Sequence, residues 1–148
     1  LSRRQRQMCI RDSYYVQAYT LNMDVLVLSL VSGLAIDTLL MVNNYRDREQ
    51  DAVSGKCTLV VRYGRKFGEN MYLGLGIAAT LLCLWFVNTG QLTLIEFIWA
   101  PCVYLCMHAL TWRKMVNIRS GKGLNRILGE TSRNMLFLGI LLAVALAA

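Results

Sequence analysis

The sequence predicts an all-α protein, a polytopic bundle of transmembrane helices. Hydrophobic residues make up 55% of the 148 residues, the mean hydropathy is +0.40, and the chain contains 1 proline. Soluble domains of this size are less apolar. Apolar runs long enough to cross a hydrocarbon layer alternate with compact charged stretches, and this alternation indicates four membrane crossings.

The first thirteen residues are set apart from this bundle. They are rich in arginine, show no helical periodicity and read as an in-frame translation of a sequencing-library adapter joined to a coding region. A basic leader or nucleic-acid-binding arm is the alternative. We expect residues 14–148 to be the C-terminal part of one transmembrane domain. Without residues 1–13 the formal charge falls from +7 to +4, because four arginines and one aspartate leave, and nucleic acid is not an expected partner.

The first span, about residues 24–44, is rich in leucine and valine. Ser29, Ser32 and Gly33 are small residues of the kind that let helices approach closely in lipid. Asp37 interrupts this apolar run. An ionisable group at that depth either belongs to a functional site in the bundle interior or forms a structural hydrogen bond to a neighbouring helix, and both interpretations stay open.

The remaining spans follow in order along the chain. Residues 71–88 form an uncharged apolar run, and the short link 89–91 turns back into a third span at about residues 92–112. Pro101 within the third span predicts a kink or a local break, since proline cannot donate a helical hydrogen bond. The fourth span, residues 135–148, is short, and its end is expected to fray.

Two basic stretches, residues 46–66 and 113–133, flank the central pair of spans. Two crossings separate them, so they must lie on the same side of the membrane, while Gly90 in the uncharged link lies on the other side. Basic loops are retained in the cytoplasm. We therefore expect both stretches at the cytoplasmic face.

The first basic stretch carries the residues that predict chemistry. Asn43, Asp47 and Asp51 recur every fourth residue, so they share one face if the helix continues. Amide and carboxylate oxygens suit Mg²⁺. Lys56 and Arg62 follow closely and would stabilise a negatively charged leaving group. The alternative interpretation is a solvated interfacial loop that caps the helix.

Other polar residues carry weaker signals. Cys102, Cys106 and His108 are not expected to bind a soft metal, because their spacing is not C-x-x-C and their surroundings are apolar. Glu96 and His108 are expected near the membrane interface rather than in a catalytic site. A transporter or a non-catalytic membrane scaffold, with Asp37, Glu96 and the basic loops as ion or lipid contacts, is the alternative from another class of proteins.

The charged motif also resembles a known family. Residues 43–51 read Asn-Asn-Tyr-Arg-Asp-x-x-x-Asp, and residues 54–64 read Ser-Gly-Lys-x-Thr-Leu-Val-Val-Arg-Tyr-Gly. Together they resemble the second aspartate-rich motif of the UbiA superfamily of membrane prenyltransferases. Tyr-Tyr-Val-Gln at 14–17, Gly-Leu-Asn at 123–125 and Thr-Ser-Arg at 131–133 are similar to the bacterial 1,4-dihydroxy-2-naphthoate polyprenyltransferases. The resemblance runs from residue 14 to the end.

That resemblance implies a fold and a set of site residues. The fold would be a bundle of about nine transmembrane helices, of which this chain holds the last four. Asp47 and Asp51 would be the catalytic carboxylates and would bind Mg²⁺, with Asn43 or Asn44 assisting. Contacts to the diphosphate would come from Lys56 and Arg62, with Arg46 as a further candidate.

The implied reaction is a magnesium-dependent transfer of a polyprenyl group from polyprenyl diphosphate to 1,4-dihydroxy-2-naphthoate. The acceptor loses its carboxylate, and the product is demethylmenaquinone, a precursor of menaquinone. Other aromatic acceptors, namely 4-hydroxybenzoate, homogentisate or a tetrapyrrole, stay open.

The expected setting is the lipid bilayer of the bacterial inner membrane. The first aspartate motif of the family does not occur in this sequence and is expected in a missing N-terminal half of the same chain. We therefore expect the 148 residues to be inactive by themselves.

Overall fold

The computed structural model describes residues 23–121 and 123–147. The segment interpreted as an adapter and the stretch at 14–17 lie outside the described residues. In chain order the elements are α1 (Met23–Arg46), α2 (Arg48–Val53), α3 (Leu59–Tyr63), α4 (Arg65–Leu82), α5 (Leu84–Asn88), α6 (Leu94–Phe97), a π-helical turn (Ile98–Cys102), α7 (Val103–Ile118) and α8 (Leu124–Ala147). The described ranges contain no β-strand, which confirms the all-α prediction.

Four helical segments are long and apolar enough to cross a membrane, judged by length and composition. They are α1, α4 continued by α5, α6 continued through the π-turn into α7, and finally α8. The local break predicted at Pro101 is confirmed, because this residue lies within the π-helical turn. Proline lacks the N–H that a regular helical hydrogen bond needs, and the helix changes locally to a π-helical turn at this position.

The four spans pack in a closed cycle. Helix α1 packs against α4 and α8, and α7 packs against the same two helices. Each span therefore contacts two neighbours, and because successive spans alternate in direction, the neighbours are antiparallel. Gly33 of α1 is buried in the bundle, as expected of a small residue at a helix contact, whereas Ser32 is exposed and does not serve such a contact between the described spans.

The interior consists of two apolar clusters with a polar layer between them. The first cluster is centred on Val27, Val31, Ala79, Cys83, Phe86, Leu138 and Leu142. The second cluster, nearer the charged motif, is centred on Met41, Val42, Tyr45, Val60, Tyr72, Met115, Leu124 and Ile127. The buried polar residues of the layer between them are Thr38, His108, Thr111, Thr131 and Asn134.

His108 is the centre of this polar layer. Its ring is fully buried between the rings of Tyr72 and Tyr104, at centroid distances of 4.2 Å and 5.5 Å. Nε2 lies 2.9 Å from the Tyr72 carbonyl oxygen, and since a carbonyl only accepts, Nε2 is the donor. A Cβ at Gly76 would lie 2.3 Å from the imidazole. The predicted interfacial position of His108 is therefore wrong, because Gly76 leaves room for the ring inside the bundle.

Two spans begin earlier than predicted. Helix α4 begins at Arg65 rather than at residue 71, and α8 begins at Leu124 rather than at residue 135. The first turns of α8 are polar, but Glu130 is buried and both of its carboxylate oxygens accept from Lys114 Nζ, at 3.0 Å and 2.8 Å. A partner on α7 thus keeps these polar turns inside the bundle.

Polar contacts identify the two ends of the bundle. At one end, the Asp24 carboxylate accepts from Trp85 Nε1 at 2.9 Å and from Gln91 Nε2 at 2.7 Å. At the other end, Arg46 Nη1 donates to Asn125 Oδ1 at 3.1 Å. The two basic stretches therefore lie at the same end, as predicted. The side of the membrane that this end faces stays a prediction.

Candidate functional site

The predicted continuation of the first span as a helix is found around Asp47. Helix α1 ends at Arg46, yet the Asp47 amide still donates to the Asn43 carbonyl at 3.0 Å, and the Asp51 amide donates to the Asp47 carbonyl at 2.7 Å. Asp47 itself has φ −90° and ψ 5°, which lies outside the α-helical range and separates α1 from α2. Asn43, Asp47 and Asp51 are thus one helical turn apart in succession.

The Asp47 carboxylate is held by its neighbour Arg46. Arg46 Nε donates to Oδ1 at 2.7 Å, and Nη2 donates to Oδ2 at 2.8 Å. Such a two-point pair is the strongest form of a charge-assisted hydrogen bond. Hydrogen bonding to Arg46, more than simple charge attraction, holds the pKa of the Asp47 carboxyl below its usual range. Asp47 is therefore ionised at neutral pH.

Asp51 is the more buried of the two carboxylates. Its side chain is 12% exposed, and Lys56 Nζ lies 3.6 Å from Oδ1. The backbone also closes this turn, because the Lys56 amide donates to the Asp51 carbonyl at 2.9 Å. Lys56 itself is 72% exposed. The pair is looser than that of Asp47, and the lysine is free to reorient.

Helix α3 brings the second part of the motif back to the bundle. Thr58 caps this helix, since its Oγ1 accepts from the Val61 amide at 3.3 Å. Val60 is fully buried in the apolar cluster beside Tyr45. Gly68 lies against both side chains, since a Cβ at that position would be 3.2 Å from each of them.

Arg62 is not brought into contact with the two aspartates. It is exposed, and its guanidinium carbon lies 5.5 Å from the ring centroid of Tyr63. Among the described residues Arg62 has no acidic partner, and a cation–π contact orients it. Asn43 and Asn44 are half-buried at the end of α1.

Asp37 does not face the interior of the four described spans, and its functional role stays a prediction. It is exposed in the middle of α1, and it has no hydrogen-bond or ion-pair partner in the described part of the chain. It therefore neither faces the interior of this four-helix bundle nor bonds to a neighbouring helix described here. It also lies ten residues from Asp47, about 15 Å along a helix, too far to share an ion.

Two residues near the motif were missed as site residues. Asn125 accepts from Arg46 at 3.1 Å, and Glu69 Oε1 accepts from the Tyr45 hydroxyl at 2.8 Å. The signal for Asn125 was available, since it belongs to the flanking stretch 123–125. Nothing in the spacing of the sequence pointed to Glu69, because its partner is 24 residues away.

The chain supplies an incomplete set of metal ligands. Among the described residues no group of three His, Cys, Asp or Glu side chains converges on a point. Mg²⁺ nevertheless often takes only one or two protein carboxylates, with phosphate oxygens and water completing the shell. Two ionisable carboxylates one turn apart, with amide oxygens beside them, fit that mode of binding, provided that phosphate supplies the remaining ligands.

Comparisons with known proteins agree with the family resemblance. A protein of Haemophilus influenzae is 35% identical over 74 residues, 50% of this chain and 24% of its own length. One of Escherichia coli K12 is 33% identical over 85 residues, 57% of this chain and 27% of its own. One of Mycobacterium leprae is 32% identical over 145 residues, 94% of this chain and 46% of its own.

All three relatives carry the name 1,4-dihydroxy-2-naphthoate octaprenyltransferase. No family model and no solved structure matches the chain. The resemblance to bacterial naphthoate prenyltransferases is confirmed by these three similarities. The chain spans less than half the length of the curated relatives it matches.

Proposed function

We propose that this chain carries one metal- and diphosphate-binding motif of a membrane prenyltransferase that uses 1,4-dihydroxy-2-naphthoate. The observation that carries the proposal is a pair of carboxylates one helical turn apart at the end of a membrane span, each paired with a cation. Similarity over 94% of the chain to a naphthoate octaprenyltransferase supports the choice of reaction.

Each residue of the motif receives a role in this proposal. Asp47 and Asp51 would hold Mg²⁺, and the amide oxygen of Asn43 or Asn44 would assist. The ion, when bound, supplies positive charge that neutralises the diphosphate oxygens. Both carboxylates follow the last residue of α1, at the end of the bundle that carries the basic stretches. The polar head group of the diphosphate would bind there while its apolar tail stays in lipid.

The cations of the chain act on the leaving group. In the proposed reaction the allylic C–O bond breaks, and its electron pair leaves with the diphosphate. The resulting allylic cation alkylates an electron-rich ring carbon of the acceptor, which then loses CO₂. Lys56, Arg62 and Arg46 stabilise the charge that accumulates on the departing diphosphate. Lys56 and Arg62 are exposed and can reorient towards it.

The transporter or scaffold alternative has less support in the structure. Glu96 is committed to the start of α6, where its carboxylate accepts from the Thr93 amide at 2.7 Å and from the Thr93 hydroxyl at 2.9 Å. This capping box explains the residue without an ion pathway. Asp37 lies at the surface of α1 rather than along a polar channel between the four described spans.

The proposal includes an orientation in the bacterial inner membrane. The motif end would face the cytoplasm, where Mg²⁺ and phosphorylated metabolites are available, and Gly90 would face the opposite side. A reporter enzyme that is active only in the periplasm, fused after Gly90, should be active. An inactive fusion at Gly90 combined with an active fusion after Gly121 would reverse the orientation.

Binding is the first test of the proposed function. The purified chain in detergent is titrated with a nonhydrolysable prenyl thiodiphosphate, with and without Mg²⁺. We expect binding that requires Mg²⁺ and that is lost in Asp51→Asn. Binding that is equal with and without the metal would contradict the assigned role of the carboxylates.

Catalysis is tested in a chain of the relatives' length. Residues 14–148 are joined to the N-terminal part of the Mycobacterium leprae relative and supplied with octaprenyl diphosphate and one aromatic acceptor at a time. We expect prenylation of 1,4-dihydroxy-2-naphthoate, detected by mass spectrometry, and no product from residues 14–148 alone. Preference for 4-hydroxybenzoate or homogentisate would replace the proposed acceptor.

A further inference from the structure

All three side-chain nitrogens of Arg46 are engaged. Nε and Nη2 hold the two oxygens of Asp47, at 2.7 Å and 2.8 Å, and Nη1 donates to Asn125 Oδ1 at 3.1 Å. The last contact joins the end of α1 to the second residue of α8, which is 79 positions away in the chain. The guanidinium is therefore held by a separate helix while it covers the carboxylate.

This arrangement occupies the Asp47 carboxylate on both oxygens. A divalent cation that arrives alone must displace a two-point pair before it can bind there. Asp51 is more buried than Asp47, but its counter-ion is held less firmly, since Lys56 lies 3.6 Å from a single oxygen and is itself mostly exposed. The two carboxylates thus differ in how readily they exchange their counter-ion.

Arg46 has a second anion to which it can move. Its side chain is 31% exposed, so the guanidinium can rotate towards solvent at the membrane surface. Guanidinium groups bind phosphate as well as carboxylate with the same two-point geometry. A diphosphate that enters with its divalent cation would therefore exchange ligands with the existing pair: the guanidinium passes to phosphate and the carboxylate passes to the metal.

We propose that Arg46, positioned by Asn125, is the resting counter-ion of Asp47 and disfavours binding of a free divalent cation until a diphosphate group takes up the guanidinium. This inference rests on the proposed function for the nature of the anion. It makes Asn125 a positioning residue, because it acts on the carboxylate through Arg46. The ligand admitted to the site is then a metal–diphosphate complex rather than the metal alone.

The test measures two affinities that should move in opposite directions. Binding of Mn²⁺ alone to the full chain in detergent is followed by electron paramagnetic resonance, and binding of inorganic diphosphate is followed by calorimetry at saturating Mg²⁺. In Arg46→Gln we expect Mn²⁺ alone to bind at least about tenfold more tightly and diphosphate at least about tenfold more weakly. A merely structural defect would weaken both.

Matched variants separate position from charge. Arg48→Gln removes the same charge from a neighbouring arginine that contacts Glu49 at 3.5 Å, and it should change Mn²⁺ affinity less than about threefold. Asn125→Ala should tighten Mn²⁺ binding by about threefold, while Asn117→Ala, at an exposed asparagine of α7, should leave it unchanged. Arg46→Lys keeps the charge without the two-point pair and should fall between wild type and Arg46→Gln.

Each outcome decides a different claim. Equal Mn²⁺ affinities in Arg46→Gln and Arg48→Gln would overturn the exclusion of free metal by this pair. Unchanged diphosphate affinity in Arg46→Gln would overturn the transfer of the guanidinium to phosphate. Identical behaviour of Asn125→Ala and Asn117→Ala would remove the positioning role of Asn125. A wild-type chain that binds Mn²⁺ but never diphosphate would contradict the proposed function. The Mn²⁺ affinities of the variants would still show whether Arg46 is the resting counter-ion of Asp47.

Discussion

The two ends of the bundle use carboxylates in different ways. At the end with the link 89–91, Asp24 accepts from the neutral donors Trp85 and Gln91, and Glu96 accepts from the amide and hydroxyl of Thr93. At the motif end, Asp47 and Asp51 are paired with cations. The hydrogen bonds of Asp24 join α1 to α5 and to the following link, and those of Glu96 cap α6. The cations beside Asp47 and Asp51 can instead be exchanged for another cation.

The partners of a carboxylate indicate whether a metal ion can replace them. A carboxylate that accepts from an indole or an amide has no counter-ion for a metal ion to replace. The neutral donor would lose its hydrogen bond without gaining an ionic partner. A carboxylate paired with arginine or lysine releases a group that can bind phosphate. Pairing with a cation does not by itself identify an exchangeable acid, since the buried Glu130 and Lys114 form such a pair that joins α8 to α7. Asp47 and Asp51 differ from Glu130 in belonging to the motif that resembles the prenyltransferases.

The largest expected effect comes from replacing one acid at each end. Asp47→Asn should weaken Mg²⁺-dependent binding of the prenyl thiodiphosphate by at least about 100-fold, since a metal ligand is lost. Asp24→Asn should change it less than about twofold. Calorimetry on both variants checks this. Similar losses at the two ends would break the comparison, and the unfolding temperature of Asp47→Asn shows that the chain remains folded.

The layer between the ends is tested at Gly76. Gly76→Ala places a methyl group 2.3 Å from the His108 ring and should destabilise the bundle by about 2 kcal/mol. Gly74→Ala, in the same helix, meets no atom within 4 Å and should be neutral or stabilising. Unfolding in detergent measures both. In the His108→Ala background the clash is absent, so Gly76→Ala should no longer destabilise the bundle. If Gly76→Ala lowers stability equally in that background and in wild type, the packing of His108 against Gly76 is contradicted.

The hydrogen bonds to Asp24, at the end of the bundle away from the motif, should affect stability alone. Trp85→Phe removes the hydrogen bond to Asp24 and should lower the free energy of unfolding by about 1 kcal/mol without changing Mn²⁺ or diphosphate affinity. Trp99→Phe is the control, because Trp99 is 71% exposed. A change in metal affinity in Trp85→Phe would show that the two ends are coupled.

The smallest effect concerns pH and the Arg46–Asp47 pair. Arg46 lowers the pKa of Asp47, so the pair contributes stability above the ordinary aspartate pKa of about 3.9, and this contribution is lost as pH falls through the lowered value. The stability difference between wild type and Arg46→Gln should therefore be greatest near neutral pH and shrink in strong acid. Since the Asp47 side chain is 36% exposed, solvent screening keeps this difference small. A difference that grows in acid would contradict the pairing.

The sequence by itself determined the class of protein and the place of the motif. Hydropathy predicted four spans, because burial in lipid demands a long apolar run in each helix whatever its neighbours are. The spacing of Asn43, Asp47 and Asp51 predicted a helical repeat, and two backbone hydrogen bonds keep that repeat although the helix is interrupted at Asp47. Both predictions depend only on residues close together in the chain.

The tertiary structure decided what depends on distant partners. The start of α8 was misplaced because Glu130 is accommodated by Lys114 of another helix, and His108 was misplaced because Gly76 makes room for its ring. The contact from Arg46 to Asn125 spans 79 positions. No local pattern records such pairs, since a side chain's burial and partner are set by which helices pack together.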